Sequence, residues 1–108
     1  EILIDGADGT GLQFVPTLTR DAAHCIRLII NKGLDGTFNF ANPTALNLAS
    51  IVKIIEAQLG VQAHIKYRPD MPAPTIIPNI NKFINQARDF KFTSFDEGLK
   101  SLLCYAHE

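Results

Sequence analysis

Ile2-Leu3-Ile4-Asp5-Gly6-Ala7-Asp8-Gly9-Thr10-Gly11 passes from a short apolar run into closely spaced glycines, a pattern that elsewhere cradles a dinucleotide pyrophosphate. That chemistry requires a helix to begin at the glycines, so that its unpaired N-terminal amides meet the phosphates. Here Leu12 to Thr19 intervene, Pro16 among them, before any helix can start. The next strand candidate, Thr37 to Ala41, runs into Asn42-Pro43 in place of the acidic residue that would hold a ribose. The glycines are therefore expected to form a turn between two short strands, and this chain to bind neither NAD nor NADP.

The other reactive side chains make few constellations. His24, His64 and His107 have no metal-ligand spacing among themselves or with Cys25 and Cys104; His24, on the first helix, and His64, on a strand face, read as surface or interface histidines. Both cysteines fall in apolar helical patterns and are expected as small buried hydrophobes of a reducing compartment; a disulfide between them stays open. No serine sits in a nucleophile elbow, and neither Tyr67 nor Tyr105 has a lysine four residues on. Asp35, Glu56 and Asp96 read as turn, helix-surface and cap carboxylates, so no catalytic residue is expected. Arg68 stands apart. It follows a strand and heads a proline-stiffened loop, where a guanidinium could hold a phosphate through two parallel hydrogen bonds. The plainer reading is a solvated arginine at a strand end. Lys66 and Lys82 would add a weak basic rim.

The elements that must position these groups are short. Ile2 to Ile4 and Leu12 to Val15 are strand candidates flanking the glycines. Thr19 is expected to cap a helix from Arg20 to Lys32, with Ala22, Ala23, Ile26, Ile29 and Ile30 at helical spacing and Gly33 as its left-handed stop. Asp35-Gly36 is a turn, and Thr37 to Ala41 alternates as a strand should. Asn47 caps a second helix through Leu48, Ile51, Val52, Ile55 and Leu59, closed by Gly60. Val61 to Tyr67 alternates again, with Ala63, Ile65 and Tyr67 on one face. Pro69, Pro72, Pro74 and Pro78 then exclude a helix or central strand, leaving an ordered loop or an extended cover strand. Asn79 can cap a short helix to about Arg88. Ser94-Phe95-Asp96-Glu97 is a capping box opening a last helix to about Tyr105.

Composition sets the frame. The chain has 108 residues, 46% apolar and 19% charged, with a formal net charge of -1. That is one globular domain's worth of sequence, spanning 1–108, with helices interleaved with a few short strands: an α/β class. No basic run exists to meet a nucleic-acid backbone, no apolar run reaches membrane-spanning length, and no signal peptide is recognisable, so the cytoplasm is the expected compartment. The abrupt opening at Glu1 into an apolar run reads as the edge of a cut fragment.

The order of these pieces resembles the C-terminal part of the extended short-chain dehydrogenase/reductase family, the NAD-dependent epimerases and dehydratases of nucleotide sugars. Asp8-Gly9-Thr10-Gly11 with Phe14-Val15, then Thr17-Leu18-Thr19-Arg20-Asp21-Ala22-Ala23, is similar to that family's glycine turn, strand and following helix. Gly36 to Pro43 is similar to its "glycine, aromatic, asparagine" strand, and Asn47 to Gly60 to the helix after it. Asn79-Ile80-Asn81-Lys82, Phe90-Lys91-Phe92 and Ser94 to Leu99 are similar to its closing sequence. Pro16 to Ala22 is closer to the dehydrorhamnose-reductase branch. Leu12 and Gln13 stand where the family often has a phosphate-contacting arginine; Thr19 and Asn79 replace usual aspartates.

The resemblance implies a substrate-side domain of an NAD(P)-dependent nucleotide-sugar epimerase, dehydratase or reductase, inactive without the Rossmann domain of the same full-length chain. The implied catalytic tyrosine–lysine pair and cofactor glycines lie in that other domain. This chain would supply one cleft wall, with Arg68, Gln13 and Phe14 as its substrate-side residues, and its partner-facing apolar surface would favour self-association. A degenerate, non-catalytic module binding a sugar or a partner is the alternative.

Overall fold

Ile2–Asp5 (β1) and Ile65–Arg68 (β4) pair in parallel, Ile2 opposite Ile65 and Asp5 opposite Arg68. The computed structural model describes residues 1–106; His107 lies outside the described residues. Two parallel strands need a long crossover, and it carries two helices, Thr19–Asn31 (α1) and Leu48–Leu59 (α2). A second sheet has the order β3-β2-β5: Gln13–Phe14 (β2) pairs antiparallel with Leu46–Asn47 (β3) and parallel with Thr75–Ile76 (β5). Asn81–Gln86 (α3) and Phe95–Ala106 (α4) complete a small mixed α/β arrangement with four helices among the described residues.

Most helix boundaries follow from their local chemistry. Asn47 caps α2 by accepting from Ser50 N–H at 2.8 Å, and Gly60 ends it in the left-handed region at φ 67°. α1 closes with Gly33 N–H on Ile30 C=O and Leu34 N–H on Ile29 C=O, the paired bonds that satisfy last-turn carbonyls when glycine takes the left-handed position. Ser94 Oγ accepts from Glu97 N–H at 3.3 Å at the start of α4. Asn79 acts one step outside its expected place, accepting from Asn81 N–H, and α3 stops at Gln86 instead of continuing to Arg88.

Three expectations need correction. Thr19 is the first residue of α1; the boundary residue is Leu18, with no side-chain cap. The nearby hydroxyl of Thr17 is engaged elsewhere, donating to Val15 C=O and accepting from Asn42 N–H. The buried side of α1 is Asp21 and Cys25, with Leu28 and Ile29 packed behind, whereas Ile26 and Ile30 are 51% and 71% exposed. Finally, Thr37 to Ala41 forms no strand and pairs with none among the described residues. Phe40 leans on Phe83, and Lys82 donates to the Thr37 carbonyl at 2.8 Å with its ammonium 4.4 Å above the Phe38 ring. One side is pinned; the backbone lacks the neighbour that would make a strand of it.

Phe83 centres the main core, fully buried with Cys25 and Ala87. Phe90 and Phe92 meet its ring edge-on at 5.8 and 6.3 Å between centroids, the geometry that aromatic quadrupoles favour. A polar latch closes over this core. Asp21 accepts from Thr93 N–H at 2.6 Å and Thr93 Oγ at 2.9 Å, and Asn42 Nδ2 donates to Thr93 C=O at 2.8 Å. Ile4, Ile51 and Val52 are buried separately beneath β1 and α2. The molecule is a slab with extents of 47 × 38 × 16 Å. Its accessible surface is 7574 Å², against about 6,000 Å² for an ordinary folded chain of this mass.

Candidate functional site

Parallel pairing of β1 and β4 sends both carboxyl ends to the same edge, so the glycine turn and the proline loop emerge side by side. Gly6 N–H donates to Arg68 C=O at 3.2 Å, as does Met71 N–H at 3.1 Å, and Gln13 N–H donates to Pro74 C=O at 3.0 Å. Gly6 has φ +105° and lies so close to Ala73 that an added Cβ would stand 3.0 Å from the alanine Cβ. Glycine is required here on both counts. Between turn and loop lies an open groove of about 760 Å³, within the size range of ligand pockets. Asp8, Gln13, Asn47, Asp70 and Thr75 bring polar groups to it, and Met71 with the prolines brings apolar surface.

The groove is held by fixed partners. Asp8 Oδ1 accepts from Thr10 Oγ at 2.8 Å and Thr10 N–H at 3.1 Å, bonds that hold its carboxyl below the usual range, the hydroxyl bond more strongly. Asn47 Oδ1 is engaged as the α2 cap. Gln13 sits in β2 between β3 and β5, a position set by backbone pairing on both sides. The lining offers amide, hydroxyl and carboxylate groups, which suit the hydroxyls of a polar ligand, and no lysine or arginine.

Of the three expected substrate-side residues, the structure places only Gln13 in the groove; Arg68 and Phe14 are not in its lining. Arg68 is not a freely solvated arginine either. Its Nε and Nη2 donate to Asp5 Oδ1 and Oδ2 at 2.6 and 3.0 Å, a two-pronged pair across the ends of β1 and β4. Hydrogen bonding to Asp5 raises the guanidinium pKa further. Lys82 is committed to Thr37 and Phe38 and, like Lys66, takes no part in the groove. Tyr67 is 58% exposed, with its ring near Gly9 of the glycine turn. Glu56, expected as a surface carboxylate, accepts from Ala63 N–H at 2.8 Å and ties α2 to the segment leading into β4.

Asn47 and Thr75 also line the groove; the sequence marks Asn47 as a helix cap and Thr75 only by the prolines around it. Cys25 is buried and its thiol is pushed up to about 11, by burial first and by the Asp21 charge second. Cys104, expected buried, is exposed, and both cysteines are free.

The glycine turn leads into β2, so no helix N-terminus stands at Gly6, Gly9 or Gly11. These residues do not fit a dinucleotide pyrophosphate. Among the described residues no group of three or more His, Cys, Asp or Glu is placed to hold a metal ion, and no helix is long and apolar enough to cross a membrane. No family model matches the chain, and neither does any curated protein or solved structure. Fold and site together define a mixed α/β chain with an open polar groove at the carboxyl ends of its parallel strand pair.

Proposed function

We propose that this chain is the substrate-side part of an NAD(P)-dependent nucleotide-sugar epimerase, dehydratase or reductase, working against a Rossmann domain that holds the cofactor and the acid–base residues. One observation carries this reading. The glycine turn and the proline loop, 60 residues apart in sequence, come together as the walls of one groove at the carboxyl ends of parallel strands, where α/β proteins place their ligands. Gln13, Asn47 and Thr75 suit a sugar, and prolines that fix one wall in advance lower the ordering cost of binding. The surplus accessible surface and the unpaired Thr37–Ala41 segment support a second domain laid against the slab. That segment is pinned through Phe40 on Phe83 and Lys82 on Thr37 but pairs with no strand among the described residues, as a segment awaiting a neighbouring sheet would.

The test is an amide NMR titration of this chain with UDP- and dTDP-hexoses. Millimolar binding, about −4 kcal/mol, is expected to shift Gln13, Asn47 and Thr75. Saturating nucleotide sugar with no change at these amides sinks the reading. The alternative, a non-catalytic sugar-binding module, is favoured by the commitment of Arg68 to Asp5, which leaves the groove without a cation for a diphosphate. Equal shifts with free hexose and nucleotide sugar would select that alternative.

A further inference from the structure

The outward face of α1 carries a pattern that the groove does not use. Thr19, Ala23, Ile26 and Ile30 are all exposed and follow one another at intervals of four, three and four residues. That is the heptad spacing of a seam on which one helix receives another. Over these residues α1 runs about 16 Å, roughly three turns. Arg20 and Arg27 stand along one edge of the seam, each directly after a seam residue. Both are exposed, and neither has an ion-pair partner among the described residues. The one acid of the helix, Asp21, is buried and held by Thr93. The opposite edge is taken, because Ile29 packs on the Phe83 core. The face is therefore a narrow seam with a single open edge, and that edge is cationic.

Charge and width decide what such a face can receive. A lipid surface takes a broad apolar face rich in Trp, Phe and Leu. This stripe is one seam wide, with two large apolar side chains and no aromatic. A second copy fails on charge. With two copies antiparallel about a twofold axis, the same edge of each lies side by side and arginine meets arginine; with two copies parallel, the arginines meet the packed Ile29 edge. In neither arrangement does an acid face Arg20 or Arg27. A helix with carboxylates along one edge of its own seam meets both requirements. Its apolar side chains enter between Ala23, Ile26 and Ile30 while its acids stand over the two arginines. We propose that α1 is the docking face for such an acidic amphipathic helix of a partner protein. The chain as a whole has a net charge of -1, so the positive edge is a property of this face and selects its partner by charge. The seam and the polar groove share no residue, and the docking of a helix here does not depend on the reading under Proposed function.

The probe is a synthetic peptide of about three heptads with leucine along its seam and glutamate on both edges; a twin carries lysine in place of glutamate. Each is labelled with a fluorophore and titrated with the full chain. The glutamate peptide is expected to bind with a dissociation constant below about 1 mM, and to shift the amides of Ala23, Ile26 and Ile30 in NMR spectra. The lysine twin should bind at least about tenfold more weakly. Ile30→Ala should weaken the glutamate peptide about tenfold. The double change Arg20→Glu with Arg27→Glu should invert the preference, so that the lysine twin binds better. All three side chains are exposed, so these changes leave the fold intact, as circular dichroism checks. No binding at millimolar peptide overturns the proposal. So does equal binding of the two peptides, which marks unspecific adhesion, and so does a preference that survives the arginine changes. Shifts at the same amides with phosphatidylserine vesicles and none with the peptide assign the face to a membrane and overturn it as well. Self-association of the chain that Ile30→Ala abolishes does the same in favour of a second copy.

Discussion

Asp21→Asn tests whether one buried carboxylate fastens the two ends of this chain. Asp21 is 4% exposed, and both its oxygens accept from Thr93, 72 residues away. The asparagine keeps the shape and can leave its oxygen on the Thr93 amide while its NH2 donates to the Thr93 hydroxyl, which reverses from donor to acceptor. What is lost is the charge: hydrogen bonds to a charged group are worth about 1.5–3 kcal/mol against about 1 for neutral ones, so a loss of about 1–2 kcal/mol is expected. In a domain of this size that lowers Tm by roughly 4–12 °C. Thr93→Val, which keeps the amide but removes the hydroxyl bond to the carboxylate, should cost about 1.5–3 kcal/mol. Thermal melts followed by circular dichroism decide the matter. A fall of under about 3 °C for Asp21→Asn, less than 1 kcal/mol, refutes the view that this pair holds α1 to the segment before α4.

Phe83→Ala should cost about 3–5 kcal/mol and abolish a cooperative melt, because Phe40, Phe90 and Phe92 all pack on that ring. Native Cys104 should react with a thiol reagent at pH 8 while Cys25 stays protected until urea is added, matching an exposed thiol and one raised to about 11. The same shift carries a sign. A folded pKa of about 11 above an unfolded 9.0 means the native state keeps its proton longer, so stability is full below pH 9 and falls as pH rises toward 11. Cys25→Ala should flatten that slope in urea titrations. Gly11→Ala should cost about 1–3 kcal/mol, since φ is +76° and the new methyl would lie 3.1 Å from Leu48 Cβ and 3.2 Å from Ile4 Cγ2; a melt within experimental error of the parent would count against it.

What could be read from the sequence was local. Asn47, Gly33, Gly60 and Ser94 mark their helix ends because a cap is decided within four residues. The glycines read correctly as a turn, since Pro16 lies too near for a helix to start. What escaped was set by distant partners. Ile26 and Ile30 keep helical spacing, yet the inward face of α1 is chosen by Asp21, whose burial is possible only because Thr93 satisfies it. Thr37 to Ala41 has a strand's alternation, but a strand also needs a neighbour, which no pattern within the segment supplies. Arg68 stands out in sequence for what a guanidinium might grip, while the parallel register of β1 and β4 sets it opposite Asp5, a fact of pairing that spacing along the chain does not encode. The groove was half legible. Its two stiffened walls stand out as glycine and proline clusters, but their meeting depends on the β1–β4 pairing.

The 16 Å thickness of the slab bears on how stability varies with temperature. The heat-capacity change of unfolding scales with the apolar area newly wetted, and a chain already showing so much surface has less left to wet. Its value should fall below the roughly 1.3–1.6 kcal/mol/K ordinary for this length. A smaller heat-capacity change flattens the curve of free energy against temperature, so warming and cooling alike erode the fold slowly. Denaturant should act as gently, with a low dependence of unfolding free energy on urea concentration, because that slope follows the same exposed area. A partner laid against the slab would sharpen both responses together.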